Sequence, residues 1–287
     1  MAGQLVVGTE ALASGRLTCR DLKRGYTKLY RNVYAPNGVA LDAMDRAVAA
    51  WLWSGRSAIV AGSSAAALLG ARWIPPSEPA SLVRPLRRAA PPGIVVHTDT
   101  LADDEICGVD GIRCTTPART AYDIARREPL ETAVIRIDAL LQATDLEVDE
   151  VAAIGERYPG ARGIRPLRSA LALVDAGAES PQETKTRLLL VRAGLPAPQT
   201  QIEVRNKWGW VDARIDMGWP EWLVGVEYDG EHHWTNPDQY SRDIERLELL
   251  ASQGWIIVRV SARQLRHHPG GVVERVRNAL LEAGFRG

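Results

Sequence analysis

The sequence is poor in cysteine and lysine, and it carries no net charge. Of its 287 residues only Cys19, Cys107 and Cys114 are cysteines. They make neither an even set nor a close C-x-x-C pair, which argues against a disulfide framework or a thiolate metal site and for reduced, inert packing thiols. Thirty-five Lys and Arg balance 35 Asp and Glu, which argues against bulk electrostatic coating of nucleic acid but leaves local patches open. Lysine occurs only at Lys23, Lys28, Lys185 and Lys207. The remaining positive charge is arginine, whose planar fork suits phosphate, although a GC-rich genome would produce the same bias. No run of about 18 apolar residues is present. The nearest candidate, Ala58 to Ile74, is broken by Ser63, Ser64 and Arg72, so no membrane span is expected. Met1 to Leu12 lacks the basic flank and apolar stretch of a secretory signal, and a cytoplasmic protein is expected.

Hydrophobic residues make up 46% and charged residues 24% of the chain, an ordinary balance that excludes wholesale disorder. The length suits about two domains. Near the front, Thr18 with Asp21 forms a capping-box start for a helix ending at Gly25, after a shorter helix over Thr9–Ser14. Lys28 to Ala35 reads as a strand closed by Pro36-Asn37-Gly38. Between Ser14 and Tyr34, Arg16, Arg20, Lys23, Arg24, Lys28 and Arg31 face one acid, Asp21, which makes this the one clearly basic stretch. Further on, the patterning predicts helices over 41–53, 63–70, 132–142, 148–156 and 166–174 and short strands at 58–61, 81–83 and 94–97. Thr116-Pro117 starts another helix, as N-cap and first helical residue.

Asp175 to Pro181 is the expected linker, and beyond it the pattern becomes helix, hairpin, helix, strand, helix. Leu223-Val-Gly-Val226 has the apolar character of a buried central strand and runs straight into Glu227-Tyr-Asp229. Alternation puts Glu227 and Asp229 on one face. In the preceding strand Val211, Ala213, Ile215 and Met217 are expected on one side, with Asp212, Arg214 and Asp216 on the other. A turn near Glu221 and Trp222 sets Asp216 opposite Glu227, with side chains within about 5.5 Å. Carboxylates gathered in this way repel and resist desolvation unless a cation or an arginine joins them or water reaches them. An oxygen-only donor set favours Mg²⁺ or Mn²⁺. Arg214 and Arg242 are the neutralisers expected if the acids are merely structural.

These residues carry a resemblance. Ser180-Pro-x-Glu183, Asp216-Met-Gly-Trp-Pro220, Glu227-Tyr-Asp229-Gly230-x-x-His233, Asp243-x-x-Arg246 and Gly254-Trp255-x-x-Val258-Arg259 together resemble the very-short-patch-repair-like branch of the PD-(D/E)XK nuclease superfamily over about residues 179 to 266. The resemblance implies that Asp216 and Glu227 bind Mg²⁺ or Mn²⁺, that Glu183 reaches in from the first helix, and that a metal-activated water attacks a phosphodiester. The lysine usual two positions after the glutamate is Asp229 here. His233 is the candidate acid or base in its stead, with a purely structural histidine as the alternative. Asp243 and Arg246, one helical turn apart, form an expected orienting pair behind the metal ligands.

Leu17-Thr18, Tyr30-Arg-Asn-Val-Tyr34-Ala-Pro36, Ala61-Gly-Ser-Ser-Ala65 and Asp110-Gly-Ile112 with Thr116-Pro117-Ala-Arg119 resemble AbiEi-type transcriptional regulators, the antitoxins of type IV toxin–antitoxin pairs, over roughly residues 5 to 145. That resemblance implies a winged helix-turn-helix, truncated here because only 17 residues precede Thr18, with Arg20, Lys23, Arg24, Lys28 and Arg31 as DNA contacts. The fold expected is an α+β N-terminal region followed by an α/β PD-(D/E)XK restriction-endonuclease-like domain. Its divisions are 1–40 (truncated winged helix-turn-helix), 41–174 (AbiEi-like) and 179–287 (nuclease-like). The expected function is a metal-dependent DNA endonuclease with DNA, and a toxin protein, as partners. The alternative is a non-enzymatic DNA-binding regulator on a degenerate nuclease scaffold.

Overall fold

The computed structural model describes residues 5–85, 89–230 and 237–286, with the side chains of 237–240 left aside. The chain divides into two compact units, Met1–Val174 and Asp175–Gly287. Both mix helices with sheet.

The first unit opens with strand β1 (Val6–Val7), helices α1 (Gly8–Ala13) and α2 (Cys19–Gly25), and strands β2 (Tyr26–Tyr30) and β3 (Val33–Pro36). The capping box that starts α2 is formed: Asp21 N donates to Thr18 Oγ1 at 3.2 Å and Thr18 N to the Asp21 carboxylate at 2.8 Å. The single strand expected over Lys28–Ala35 is instead a hairpin. Asn32 takes a left-handed φ of 64° and turns the chain, so that β3 lies between β1 and β2. Asparagine is among the few residues that tolerate that region, which is why no glycine marks the turn.

Helix α3 (Ala43–Trp53), strand β4 (Ile59–Val60), helix α4 (Gly62–Leu68) and strands β5 (Ala80–Val83), β6 (Ile94–His97), β7 (Ile106–Val109) and β8 (Ile112–Thr115) follow. They build a five-stranded sheet of order β6-β5-β4-β8-β7. Buried Val60, Leu82, Ile94, Ile112 and Cys114 share a core with Ala47, Val48 and Leu68 of the helices. The three cysteines are free thiols, and Cys107 and Cys114 face each other across β7 and β8 with their sulfurs 3.5 Å apart. Four helices close the unit: α5 (Pro117–Arg127), α6 (Leu130–Ala143), α7 (Val148–Arg157) and α8 (Ile164–Leu171). Thr116 caps α5 by accepting from Arg119 N, with Pro117 at the first turn.

The second unit runs α9 (Pro181–Arg192), β9 (Gln199–Arg205), β10 (Val211–Trp219), β11 (Val224–Asp229), α10 (Pro237–Ser252), β12 (Ile256–Ser261), α11 (Ala262–His267) and α12 (Pro269–Glu282). Its sheet has the order β12-β11-β10-β9, antiparallel except for the β11–β12 pair. Two apolar clusters cover it. Met217, Val226 and Val260 pack with Leu190 of α9 and with Val272, Val276 and Leu280 of α12. Ile202, Val204, Ala213 and Ile215 pack with Leu250 and Trp255. Ile215 and Met217, two residues apart, therefore join different clusters, and the strict alternation expected along β10 breaks at Asp216. Its neighbour in β9, Gln201, holds a left-handed φ of 50°, the local distortion that accompanies the break. The alternation breaks again at a register shift between Val211 and Ala213, which leaves Val211 exposed rather than on the apolar face. Where β10 meets β11, a Cβ on Gly218 would run into the Val224 carbonyl oxygen, so the two backbones approach there as only glycine allows.

Candidate functional site

The antiparallel register pairs Met217 with Val226 and Gly218 with Gly225. Carried one position further, it sets Asp216 opposite Glu227. Asp216 Oδ2 accepts the Tyr228 backbone N–H at 2.8 Å, which fixes the carboxylate across the gap between the strands. Glu183 stands in the first turn of α9, where it both caps and is capped. Glu183 N donates to Ser180 Oγ, whose hydroxyl returns to Glu183 Oε1 at 2.8 Å, while Oε2 receives Glu179 N and Gln201 Nε2. Glu183 and Glu227 are buried, at 9% and 6% exposure.

Glu183 and Glu227 lie close enough to Asp216 to raise its affinity for protons. Burial, with the charges of Glu183 and Glu227, pushes the Asp216 carboxyl up to about 7, against the opposing pull of the Tyr228 N–H and of Arg246. Glu183 is also raised, by burial first and by Glu179, with the Ser180 and Glu179 hydrogen bonds acting in the other direction.

Two guanidinium groups answer this charge. Arg246 of α10 forks Glu227, Nη1 to Oε1 at 2.5 Å and Nη2 to Oε2 at 2.9 Å, and also reaches Asp243 at 2.8 Å. Arg259 of β12 bridges Asp229 and Asp243, each at 3.0 Å. The Asp243–Arg246 contact has the i, i+3 spacing read from the sequence, but its hold on Glu227 could not be read there. Arg214, one of the two expected neutralisers, pairs with Glu179 instead, and Arg242 is exposed on α10. Arg246 thus pairs with Glu227 and Asp243 and Arg259 with Asp229 and Asp243, while among the described residues neither pairs with Glu183 or Asp216. His233 lies outside the described residues.

The donor set can be tested against a divalent ion. It is made only of carboxylate oxygens, the chemistry a hard cation prefers. Asp229 Oδ1 is buried with no hydrogen-bond partner, and Asp216 Oδ1 takes none among the described residues. Both oxygens of Glu227 are occupied by Arg246, so a cation there competes with the guanidinium. Among the described residues no group of three or more His, Cys, Asp or Glu is gathered as a ready metal cage. The chemistry fits a hard cation, and the arginine fork is what such a cation would have to displace.

In the first unit Arg20, Lys23 and Arg24 lie on α2, Lys28 on β2 and Arg31 in the turn before β3, and all five are exposed. Arg20, Lys23 and Arg24 follow i, i+3, i+4 spacing and therefore share a helix face. None of the five pairs with a carboxylate among the described residues. Among those residues, no helix is long and apolar enough to cross a membrane.

Comparison with known proteins bears on both units. Residues 58–173 match the AbiEi antitoxin C-terminal domain, and residues 197–280 match the restriction-endonuclease-like REase_MTES_1575 domain. Two uncharacterized proteins of Mycobacterium tuberculosis, MT2308 of strain CDC 1551 and Rv2248 of strain H37Rv, are each 29% identical over 270 residues, covering 92% of this chain and 95% of theirs. The crystal structure of RV2827C protein from the same species overlaps 71% of this chain and 84% of its own at a TM-score of 0.38 and 16% identity, too slight a likeness to argue from. The chain therefore joins an AbiEi-type domain to a restriction-endonuclease-like domain, in that order.

Proposed function

We propose that the protein is a divalent-cation-dependent hydrolase of DNA phosphodiester bonds, with residues 179–287 as the cutting domain and residues 1–40 as a shortened winged helix-turn-helix that holds DNA ahead of the 41–174 region. The observation that carries this reading is the placement of Asp216, fixed by the Tyr228 N–H across from buried Glu227 and near buried Glu183, where burial and their charges push its carboxyl up to about 7. A fold gains nothing in stability from such crowding, and perturbed acids of this kind concentrate at functional sites. Asp216 and Glu227, with Glu183, are the residues to hold Mg²⁺ or Mn²⁺, which would supply an acidified water and charge neutralisation at the scissile phosphate. Asp216 is held in place by the Tyr228 N–H, and Glu183 by its own helix cap. Arg246 and Arg259 bring the positive charge that Asp229, standing where the superfamily has lysine, does not. His233 is the candidate acid or base.

Wild-type protein is expected to cleave DNA with Mn²⁺ or Mg²⁺. Glu227→Gln and Asp216→Asn should each lose at least about a hundredfold in rate, the scale of removing a metal-supporting group. Intact substrate across single-stranded, nicked, mismatched and duplex DNA with either ion refutes the reading.

A second reading is favoured by the Arg246 fork, which fills both oxygens of Glu227. On it the second unit is a scaffold that has lost its chemistry, and the protein is an antitoxin-type regulator paired with a toxin. It predicts salt-sensitive retardation of the protein's own promoter, weakened by Arg20→Ala and Arg24→Ala. Absence of retardation at low salt removes it.

A further inference from the structure

We propose that Trp208 and Trp210, at the tip of the β9–β10 hairpin, form a platform on which unpaired nucleobases stack, so that the DNA taken by this protein is one with open base faces: a single strand, an overhang or a gap beside duplex. This deepens the hydrolase reading and rests on it for the link to cleavage, though not for the binding itself.

The two rings are 72% and 74% exposed, more than any other large hydrophobic side chain described. Such exposure would be unremarked on a loose loop, but this tip is tightly built. Asn206 Oδ1 accepts both Trp208 N at 3.0 Å and Trp210 N at 3.1 Å, and Asn206 N donates to Trp210 O at 2.9 Å. Gly209 N returns to Asn206 O at 2.9 Å, Arg205 Nη1 holds Gly209 O at 2.8 Å, and Asn206 Nδ2 holds Asp212 at 2.8 Å. Gly209 takes a φ of +85°, a conformation that suits glycine and completes the turn. The backbone that presents the two indoles is thus ordered before any partner arrives, which removes much of the entropic cost of binding.

Charge and surroundings select the partner. Lys207 Nζ sits 4.5 Å from the centre of the Trp208 ring and meets no carboxylate among the described residues, so a free cation stands at the ring face. That pairing suits a base with its phosphate. The exposed large apolar side chains of this hairpin end are the two indoles and Val211, with the polar residues Glu203, Arg205, Asn206 and Asp212 on the flanking strands, whereas a protein interface needs a wider dry core. Base faces in an intact duplex are already stacked, which leaves unpaired nucleotides as the matching ligand. The same strand joins tip to acids: from Trp210 to Asp216 is six residues, about 20 Å along β10, a span of a few nucleotides.

The test uses the full chain in EDTA, so that binding is read without cleavage. Anisotropy of a labelled oligothymidylate is compared with that of a blunt duplex of equal length. Wild type should prefer the single strand. Trp208→Ala and Trp210→Ala should each weaken that binding about tenfold, with duplex binding changed less than twofold. Trp210→Phe should retain most of the affinity and Trp210→Leu should not, which separates a flat ring from mere greasiness. The proposal falls if the double alanine variant, folded by its melting curve, binds the single strand as wild type does, if it loses both ligands equally, or if leucine substitutes as well as phenylalanine. Loss of single-strand binding in a protein that cuts nothing with any metal would leave stacking standing and remove the hydrolase. Normal binding by the variants of an active nuclease would do the reverse.

Discussion

Each unit carries a cluster of charged side chains, and the two are built on opposite terms. In the first, Arg119, Arg126, Arg127 and Arg157 meet Asp99, Asp104, Glu105 and Asp123, one acid for every base. Arg119 is 2% exposed, and Glu105 and Asp123 are fully buried. Burial works against the charge of Asp99, yet Arg127 and Arg126 hold its carboxyl below the ordinary range. In the second unit Arg246 and Arg259 meet Glu227, Asp229 and Asp243, neither pairs with Glu183 or Asp216 among the described residues, and Asp216 is displaced the other way. A closed ledger of charge is what a scaffold requires to tolerate ions in its interior. An open one, with acids raised rather than lowered, is what a cation-binding or proton-handling site looks like before its partner arrives.

The largest effect should come from unbalancing the balanced cluster. Arg119→Met removes the buried guanidinium that joins Glu105 to Asp123 and leaves them only the more exposed Arg157, Arg126 and Arg127, at a cost of about 3–5 kcal/mol, read as loss of the first unit's calorimetric transition. A wild-type melting profile would mean that the network does not matter to folding. Next, Arg246→Met frees Glu227 amid Asp216 and Glu183. It should cost about 2–3 kcal/mol in EDTA and recover on adding Mn²⁺, with a larger Mn²⁺-dependent rise in melting temperature than wild type. If Mn²⁺ moves neither protein, the cluster has no appetite for a cation.

Asp216→Asn should act with the opposite sign, because the native carboxyl holds its proton more tightly than the unfolded one. Below pH 4 both states are protonated and the substitution is neutral. Between about 4 and 7 only the unfolded chain ionises, so wild type loses stability as pH rises through this window, and above 7 the loss is complete. At pH 8 the variant should be more stable by on the order of 1–2 kcal/mol, and destabilisation there would overturn the assignment. The smallest effect should come from the exposed Arg56–Glu10 pair. Glu10→Gln should leave the melting temperature within the scatter of replicates, whereas a measurable fall would show that charge pairs outside both clusters also count.

What could be read from the sequence was local. The caps at Thr18, Thr116 and Ser180 each depend on residues three or four apart, and each formed where its signature lies. The facing of Asp216 and Glu227 was legible because counting back from a short hairpin sets register. The Asp110-Gly111 turn joining β7 and β8 was equally available, with φ of 49° and 78°, but its flanking strands are four residues each and were not separated from their neighbours. The Arg246 fork was out of reach: it joins residues 19 apart, and only the docking of α10 on the sheet decides which acid the guanidinium meets. Glu183 was visible as a candidate and its cap with Ser180 is local, whereas the bond it receives from Gln201 of β9 appears only in three dimensions.

Gly218 has the farthest reach of these details. Its missing side chain is what lets β10 lie against the Val224 carbonyl, two positions from the pair of opposing acids. A methyl group there would pry the hairpin open at its hinge and spread the acids without touching either one, so the spacing of the carboxylates is governed by an atom that is absent.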